Sequence, residues 1–330
     1  MSSPARPGKQ ERIDRALRWL DRYRPIFDDP AAFREALEPP HPVDLHVFAG
    51  NEARAGVAER LGERGIRAEP LAWAPRHLRM RDGEEETGPG AGTLPEVALG
   101  FAYRQGAVSA LPAEALAPRP GERIVDLCAA PGGKTIYLAK LAGDRARVVA
   151  GDPSEKRGGL IVQWLARAGV ASAMVVQQDG STFPVAAPFD AILLDAPCTG
   201  EGTFRVASPR FEPSGEQNLS RTWRLQGRLI ERAWSLLAPG GRMVYATCSY
   251  APEENESIVS ALLEQHEDAE LLELPEGWPG SPGLSSWNGT RFDPRLRRAR
   301  RLYPHQTGSW GFFLALLRKA PDAPRVLPAW

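Results

Sequence analysis

The stretch RIVDLCAAPGGKT, Arg123 to Thr135, decides the fold. Its first half, RIVDLCA (123–129), is a short apolar run of the kind that forms a strand buried on both faces. Pro131, Gly132 and Gly133 end that run, and a helical pattern follows over 134–142. The two glycines therefore open a helix N-terminus and let the backbone approach a ligand closely. The same rhythm continues outward. RVVAGD (147–152) is a strand, 154–168 a helix, SAMVVQ (172–177) a strand, and FDAILLDAP (189–197) another. A long helix is predicted over 216–237, a strand over GRMVYATC (241–248) and a helix over 253–266; 269–274 and GFFLALLR (311–318) supply the last two strands. Strands alternating with helices predict an α/β fold with a mostly parallel sheet covered on both faces. Ligands in such folds bind outside the carboxyl ends of the strands. Cys128–Lys134, Asp152, Asp179, Asp195–Gly202 and Cys248 all fall at or just past predicted strand ends.

Upstream, residues 11–38 carry two helical patterns, with Ile13, Leu17 and Leu20 on one face and Phe33 and Leu37 on another. EPPHP breaks the second helix, VDLHVF (43–48) alternates like a strand, and 51–64 is helical with Gly65 as its stop. These elements predict a small α+β module over residues 1–80. The glycine-rich segment RDGEEETGPGAGT (81–93) opens a linker to residue 99, a catalytic domain runs over 100–320, and 321–330 is a tail.

Hydrophobic residues make up 42% and charged residues 25% of the 330, the balance of a globular protein. No apolar run reaches the roughly 20 residues that span a bilayer, and the N-terminus lacks a secretory h-region. The only cysteines are Cys128, Cys198 and Cys248, an odd count that argues against a disulfide framework and for a cytoplasmic setting. Lys+Arg and Asp+Glu balance at 41 each, so the charge distribution matters more than the sum. Arg291–Arg301 holds six arginines and one acid beside Phe292 and Tyr303. Such a cluster either grips phosphates or is a solvated loop, and charge patterning leaves the two readings even.

DLCAAPGGKT (126–135) suits two nucleotide chemistries. Gly133, Lys134 and Thr135 fit the end of a P-loop, and AILLDAP can pass for the strand carrying a magnesium-binding Asp. Against this, Cys128 stands where the first glycine belongs and Pro131 removes an N–H the loop needs. The alternative is the nucleoside site of a methyltransferase, which wants an acid after the second strand to grip ribose hydroxyls. Asp152 stands about 20 residues on, as the analogous Rossmann rule requires; the plain reading is that it caps the helix behind it, with Pro153 in the first position. LLDAPCTGEG (193–202) and YATCSYAPEENE (245–256) each put a cysteine just past a buried strand. A lone cysteine is usually a small buried hydrophobe, but two at one sheet edge beside polar turns suggest a site.

Taken together, DLCAAPGGKT, GDPSEKR, QQDG, DAPCTGEG, the LQ at 225–226, ATCSYAPEENE and the closing RLYPHQTGSWGFFLALLRK resemble the RsmB/RsmF/Sun-type RNA (cytosine-5-)-methyltransferases, most of all the RsmF-like ribosomal RNA branch. The resemblance spans about residues 100–318. It implies a Rossmann-like class I S-adenosylmethionine-dependent methyltransferase with a mostly parallel seven-stranded sheet, a small N-terminal α+β domain and an RNA substrate, ribosomal before transfer RNA. In such enzymes the thiol of T-C-S is the nucleophile and that of D-A-P-C aids product release; carried over, these are Cys248 and Cys198. The implied S-adenosylmethionine contacts are Cys128, Ala129, Ala130, Pro131, Gly132, Gly133, Lys134, Asp152, Arg157, Asp179 and Asp195. Thr199 replaces a serine common in the family, and DLHVFAG replaces its arginine-valine-asparagine stretch.

The residue types suit the implied reaction. Carbon 5 of cytosine is a poor nucleophile until a thiolate adds at carbon 6. An acid at N3 and the amine eases that addition, and Asp195 is placed for it if it holds or shares a proton. The helix predicted after Cys248 is expected to help activate the thiol. An inactive RNA-binding assembly factor that keeps the fold is a further alternative, against which Cys198, Cys248 and Asp195 stand intact.

Overall fold

The computed structural model describes residues 8–48, 51–80, 94–184, 188–207, 213 and 215–324. The predicted linker is therefore described only from Leu94, and the segment 81–93 and the end of the tail lie outside the described residues. The chain begins with α1 (Lys9–Leu20), a 3-10 turn, and α2 (Pro30–Ala36), whose cap Asp29 accepts from the N–H groups of Ala31 and Ala32. Then come β1 (Asp44–Val47), α3 (Asn51–Glu63), β2 (Ala68–Leu71), β3 (Ala74–Met80), α4 (Pro95–Ala98) and β4 (Ala102–Arg104). These strands form an antiparallel sheet in the order β2-β3-β1-β4. Its last strand is supplied by residues beyond the predicted linker.

The larger unit follows as α5 (Ala107–Leu116), β5 (Arg123–Asp126), α6 (Gly133–Leu141), β6 (Arg147–Asp152), α7 (Glu155–Arg167), β7 (Ala173–Gln177), β8 (Phe189–Asp195), α8 (Gly215–Leu236), β9 (Leu237–Thr247), α9 (Glu256–Gln265) and β10 (Ala269–Leu272). It closes with β11 (Ser281–Pro282), β12 (Ser286–Trp287), β13 (Thr290–Arg291), β14 (Arg300–Leu302), α10 (Pro304–Thr307) and β15 (Phe312–Lys319). The main sheet runs β7-β6-β5-β8-β9-β15-β14-β11, parallel from β7 to β9, with β15 antiparallel to its neighbours. This is the Rossmann-like class I arrangement. The outer edge of β15 is shared, β10 pairing with Leu316–Lys319 and β14 with Phe312–Leu314. Two short strands thus extend the expected seven to nine.

Side-chain alternation sorts the core onto the two faces of the sheet. Val125, Ile192, Leu194, Met243 and Tyr245 pack under α8 and α9, while Ile124, Leu193, Val244 and Ala246 pack under α5 and α6. In α8, Leu219, Gln226, Leu229, Ile230 and Ala233 recur at helical spacing as its buried face. The first helices do not join the small sheet's core. Ile13, Leu20, Tyr23, Phe27 and Phe33 pack instead with Phe204, Tyr250 and Tyr303 of the catalytic unit. Among the described residues no helix is long and apolar enough to cross a membrane.

The small sheet carries an acid-sensitive pair. His46 and His77 face each other across β1 and β3, both fully buried, with rings stacked 4.7 Å apart and His46 edge-on to Tyr137 at 3.9 Å. Burial, with His77 and Arg76 behind it, holds His46 well below the ordinary range; burial and Arg79 lower His77 to about 3. The unfolded chain therefore binds protons on these rings near pH 6.5 while the folded chain does not. Their contribution is complete above that pH and is lost as pH falls toward the folded values, by up to about 1.4 kcal/mol per pH unit for each ring. Asp126, raised by burial to about 7, has the opposite slope, so the test compares variants. Urea unfolding of His46→Leu/His77→Leu between about pH 6.5 and pH 5 should lose less stability with acidification than the parent. Identical slopes would remove these rings from the acid response.

Candidate active site

The strand order reverses at β5, with β6 and β7 on one side and β8 and β9 on the other. A crevice forms at such a switch point, and the turn after β5 lies in it. Gly132, at φ 111°, caps α6 in a conformation that side chains rarely adopt. Gly133 is held by contact: a Cβ there would stand 2.6 Å from the Tyr103 ring of β4. The Ala130–Pro131 peptide is cis.

A cavity of about 550 Å³ opens at this turn. Its lining includes Asp126, Cys128, Ala129, Ala130, Pro131, Gly133, Lys134, Asp195 and Cys248. Most of the predicted site is thereby brought together. His41 and Asp44 close the cavity from the N-terminal side, and Tyr103–Gly106, Ser109, Trp310 and Phe312 complete it. Gly132, Asp152, Arg157, Asp179 and Cys198 do not line this cavity.

Lys134 and Asp195 meet inside it, Nζ to Oδ2, at 2.7 Å. The Lys134 ammonium also donates to Ser109 Oγ at 2.7 Å and lies 5.7 Å from the Phe312 ring centre. Thr135 Oγ1 donates to the buried Asp126 carboxylate at 2.7 Å. These pairings count against the P-loop reading, because the lysine and threonine such a loop needs are already engaged with carboxylates. Burial holds the Cys128 thiol well above the usual range, and Asp126, Asp195, Asp152 and Asp179 raise it further. With Asp126 raised by burial to about 7, the carboxylates of Asp195, Asp152 and Asp179 still suit a cationic ligand and oppose a triphosphate.

Asp152 sits at the end of β6, 3% exposed. Its Oδ1 accepts from Ser154 N at 2.8 Å and faces Arg157 Nη2 at 3.1 Å. The cap of α7 is Ser154, whose hydroxyl accepts from Arg157 N, and the helix starts at Glu155. The cap role considered for Asp152, with Pro153 as first helical residue, therefore falls to Ser154. Asp179 is exposed and caps a 3-10 turn, accepting from Ser181 N and Oγ at 2.8 Å.

The two strand-end thiols stand 3.4 Å apart, Cys198 Sγ to Cys248 Sγ. Gly202 stitches their loops together: its N–H donates to Cys248 O at 2.8 Å, and a Cβ there would stand 2.2 Å from Gly311 O. The predicted helix at 253–266 forms only from Glu256, so Cys248 is not at its N-terminus. The contact with Cys248 raises the Cys198 thiol well above its ordinary range, as do burial and the charges of Glu254 and Glu201.

Sequence reasoning quoted the motifs holding Glu201, Gln226 and Glu254 but gave these residues no role. All three are fully buried beneath the thiols. Gln226 Nε2 donates to Pro197 O at 2.7 Å and to Glu254 Oε1 at 3.1 Å. Glu201 receives Trp19 Nε1 at 3.0 Å and the Tyr23 hydroxyl at 3.1 Å. For Glu201 and Glu254 the available signal was a place inside cysteine-bearing motifs, and for Gln226 the short LQ motif. Asp126 was passed over inside DLCAAPGGKT in the same way, and Ser109 lies in no quoted motif.

The arginine cluster divides. Arg301 is buried against Glu256, Arg295 pairs with Asp293, and Arg298 meets Glu273 at 3.0 Å. Arg291 and Arg297 are exposed. The segment is neither a uniform phosphate patch nor a solvated loop.

The chain is similar to known proteins. The chain is 36% identical over 294 residues to a mouse 28S rRNA (cytosine-C(5))-methyltransferase, covering 87% of itself and 36% of that protein. It thus spans about a third of the length of that relative and under half of the Caenorhabditis elegans 26S rRNA (cytosine-C(5))-methyltransferase, which it matches at 36% identity over 88% of itself. A tRNA (cytosine(49)-C(5))-methyltransferase of Pyrococcus abyssi is 31% identical, over 91% of this chain and 95% of that one. Among solved structures, a methyltransferase homolog protein from Pyrococcus horikoshii superposes with a TM-score of 0.79 at 32% identity, covering 96% of this chain and 100% of its own. The family model described as 16S rRNA methyltransferase RsmB/F matches residues 113–318, which include the turn after β5 and both strand-end thiols, and the chain belongs to that family.

Proposed function

We propose that this chain transfers the methyl group of S-adenosylmethionine to carbon 5 of cytosine in RNA, with small-subunit ribosomal RNA as the substrate class. One observation carries the reading: Cys248 opens on the same cavity as the Lys134–Asp195 pair, with a second thiol 3.4 Å behind it. The residues around Cys128 fit the cofactor. Its sulfonium and ammonium charges match the carboxylates there, and the cavity at the turn after β5 has the room to take it. Cys128–Lys134 would hold its amino-acid portion and Asp152 its ribose, with Asp179 and Arg157 at the periphery. S-adenosylmethionine, when bound, supplies an electrophilic methyl group.

The protein's own groups prepare the base. The Cys248 thiolate adds to carbon 6, forming a C–S bond and moving electron density to carbon 5 and N3. Lys134 and Asp195, which line the same cavity as Cys248, are the groups we assign to meet that density. Their pairing answers the demand for a shared proton, since the Lys134 ammonium donates while the Asp195 carboxylate accepts from an amine. The carbon 5 proton must then leave to water acting as base, its C–H electrons re-forming the carbon 5–carbon 6 double bond as the C–S bond breaks. The C–S electrons return to Cys248, with Cys198 at hand to help release. We assign RNA contacts to the N-terminal module, residues 1–80, and a cytoplasmic location to the protein.

Transfer RNA is the second reading, favoured by the near full-length match to the Pyrococcus abyssi enzyme. The deciding assay uses S-adenosylmethionine labelled in its methyl group with separate small-subunit, large-subunit and transfer RNA. Label is expected in 5-methylcytidine from small-subunit RNA. Label only from transfer RNA would select the second reading. Calorimetry that detects ATP–magnesium binding but none of S-adenosylmethionine would overturn both.

A further inference from the structure

Beneath the two thiols lies a proton count that does not close with ionised carboxylates alone. Thr199 Oγ1 stands 2.6 Å from Glu201 Oε2 and 2.5 Å from Glu254 Oε2, and Ser249 Oγ stands 2.7 Å from Glu201 Oε2. These are three short oxygen–oxygen contacts, and each needs a proton between its atoms. The two hydroxyls carry one proton each. The third must sit on a carboxyl group. The other neighbours donate elsewhere: Thr199 N to Glu254 at 3.0 and 3.2 Å, and Gln226 Nε2 at 3.1 Å, while Thr222, also beside Glu254, points its hydroxyl at Asn218 O and Leu219 O at 3.0 Å. Trp19 and Tyr23 donate to the other oxygen of Glu201. Both carboxyl groups are 0% exposed, and among the described residues neither has an ion-pair partner. Two bare buried carboxylates held this way would repel with little screening.

We propose that Glu201 and Glu254 share one proton across the Thr199 hydroxyl, and that this singly charged pair is a positioning unit that keeps the proton on Cys198. The proposal rests on the assignment of the two thiols above and deepens it by giving a physical reason for their different roles. Thr199 follows Cys198 and Ser249 follows Cys248, so one hydrogen-bonded unit fixes both loops. Its negative charge is next to Cys198, which disfavours a second anion there. Cys198 therefore remains a thiol whose S–H can point at the Cys248 sulfur 3.4 Å away. Burial and Glu201 push Glu254 above its usual range, consistent with the shared proton. The facing tyrosines do not compete for the charge: burial and Glu201 hold Tyr23 protonated, and burial and Glu254 do the same for Tyr245, whose hydroxyl donates to Glu254 O at 2.6 Å.

The full chain with isotope-labelled glutamate is examined by infrared spectroscopy at neutral pH, without RNA or cofactor. The parent should show the carbonyl stretch of an un-ionised glutamic acid. Glu201→Gln and Glu254→Gln should each remove that band, because a single remaining carboxyl would carry the charge alone. Absence of the band in the parent overturns the proposal, and needs no variant to fold. Loss of the band in only one of the two variants overturns the sharing. A second readout uses alkylation of Cys198 in a Cys128→Ser/Cys248→Ser background. Replacing both glutamates by glutamine should speed alkylation near neutral pH about tenfold, the equivalent of one pKa unit. An unchanged rate would overturn the effect on Cys198. None of these readouts measures methyl transfer, so a wrong assignment of the nucleophile would leave the band in place and appear only as activity surviving Cys248→Ala.

Discussion

Cys248→Ala is expected to abolish methyl transfer while S-adenosylmethionine binding survives. The side chain is small and half-buried at the end of β9, so its loss removes a sulfur and little packing. Without the thiol no C–S bond forms at carbon 6, and carbon 5 keeps the low nucleophilicity of an unactivated cytosine. The loss should be on the order of a thousandfold or more, about 4 kcal/mol of barrier. Calorimetry with S-adenosylmethionine should give an affinity close to the parent's, because the carboxylates around Cys128 and the turn at Gly132–Gly133 are untouched. Turnover retained within about tenfold would return the nucleophile role to Cys198. The geometry favours Cys248 on one ground that spacing could not give: Cys248 lines the cavity, and Cys198 sits behind it.

Much of this was legible in the sequence because the larger unit obeys a simple alternation. RVVAGD was read as a strand over the residues that form β6, and the long helix was placed within one residue of α8 at each end. Periodicity works there because the central strands β5, β8 and β9 are largely buried on both faces, and α7 and α8 each bury one apolar stripe. In the small sheet it finds β1 but fails at β2 and β3. Strand β2 contains Pro70, and β3 carries Arg76, His77 and Arg79, with His77 fully buried and Arg79 paired to Asp44 at 2.8 Å. Polar residues turned inward erase the pattern that marks a strand. The destination of α1 was hidden for another reason. Trp19 and Tyr23 reach Glu201 across about 180 residues of chain, and nothing local encodes that contact. The site divides similarly. Motif chemistry pointed to Cys128, Asp195, Cys198 and Cys248, whereas the acids assigned to Cys198 became visible only once their loops met. Charge patterning could not separate inward from outward arginines, because both lie in one short run.

That failure has its largest consequence at Arg301. Arg301→Ala is expected to destabilise the protein by roughly 3–5 kcal/mol, the cost of leaving one member of a buried ion pair unpaired. The guanidinium is 2% exposed and grips Glu256 with both prongs, Nε to Oε1 at 2.6 Å and Nη2 to Oε2, while Nη1 donates to Tyr250 O at 2.9 Å. Glu256 opens α9 and also receives Leu284 N at 3.0 Å, so the stranded carboxylate cannot turn to water without unseating that backbone. The loss approaches the whole stability of a marginal domain, about 5–15 kcal/mol. Urea unfolding measures it. A change below about 1 kcal/mol would mean that water reaches Glu256. Arg297→Ala, on the exposed side of the same run, should stay within about 0.5 kcal/mol. The contrast also governs any test of RNA binding. A combined replacement of Arg297, Arg298, Arg300 and Arg301 would unfold the chain and mimic a lost phosphate site. Replacing only Arg291 and Arg297 keeps the fold, and a shallower dependence of RNA affinity on salt would then report phosphate contacts alone.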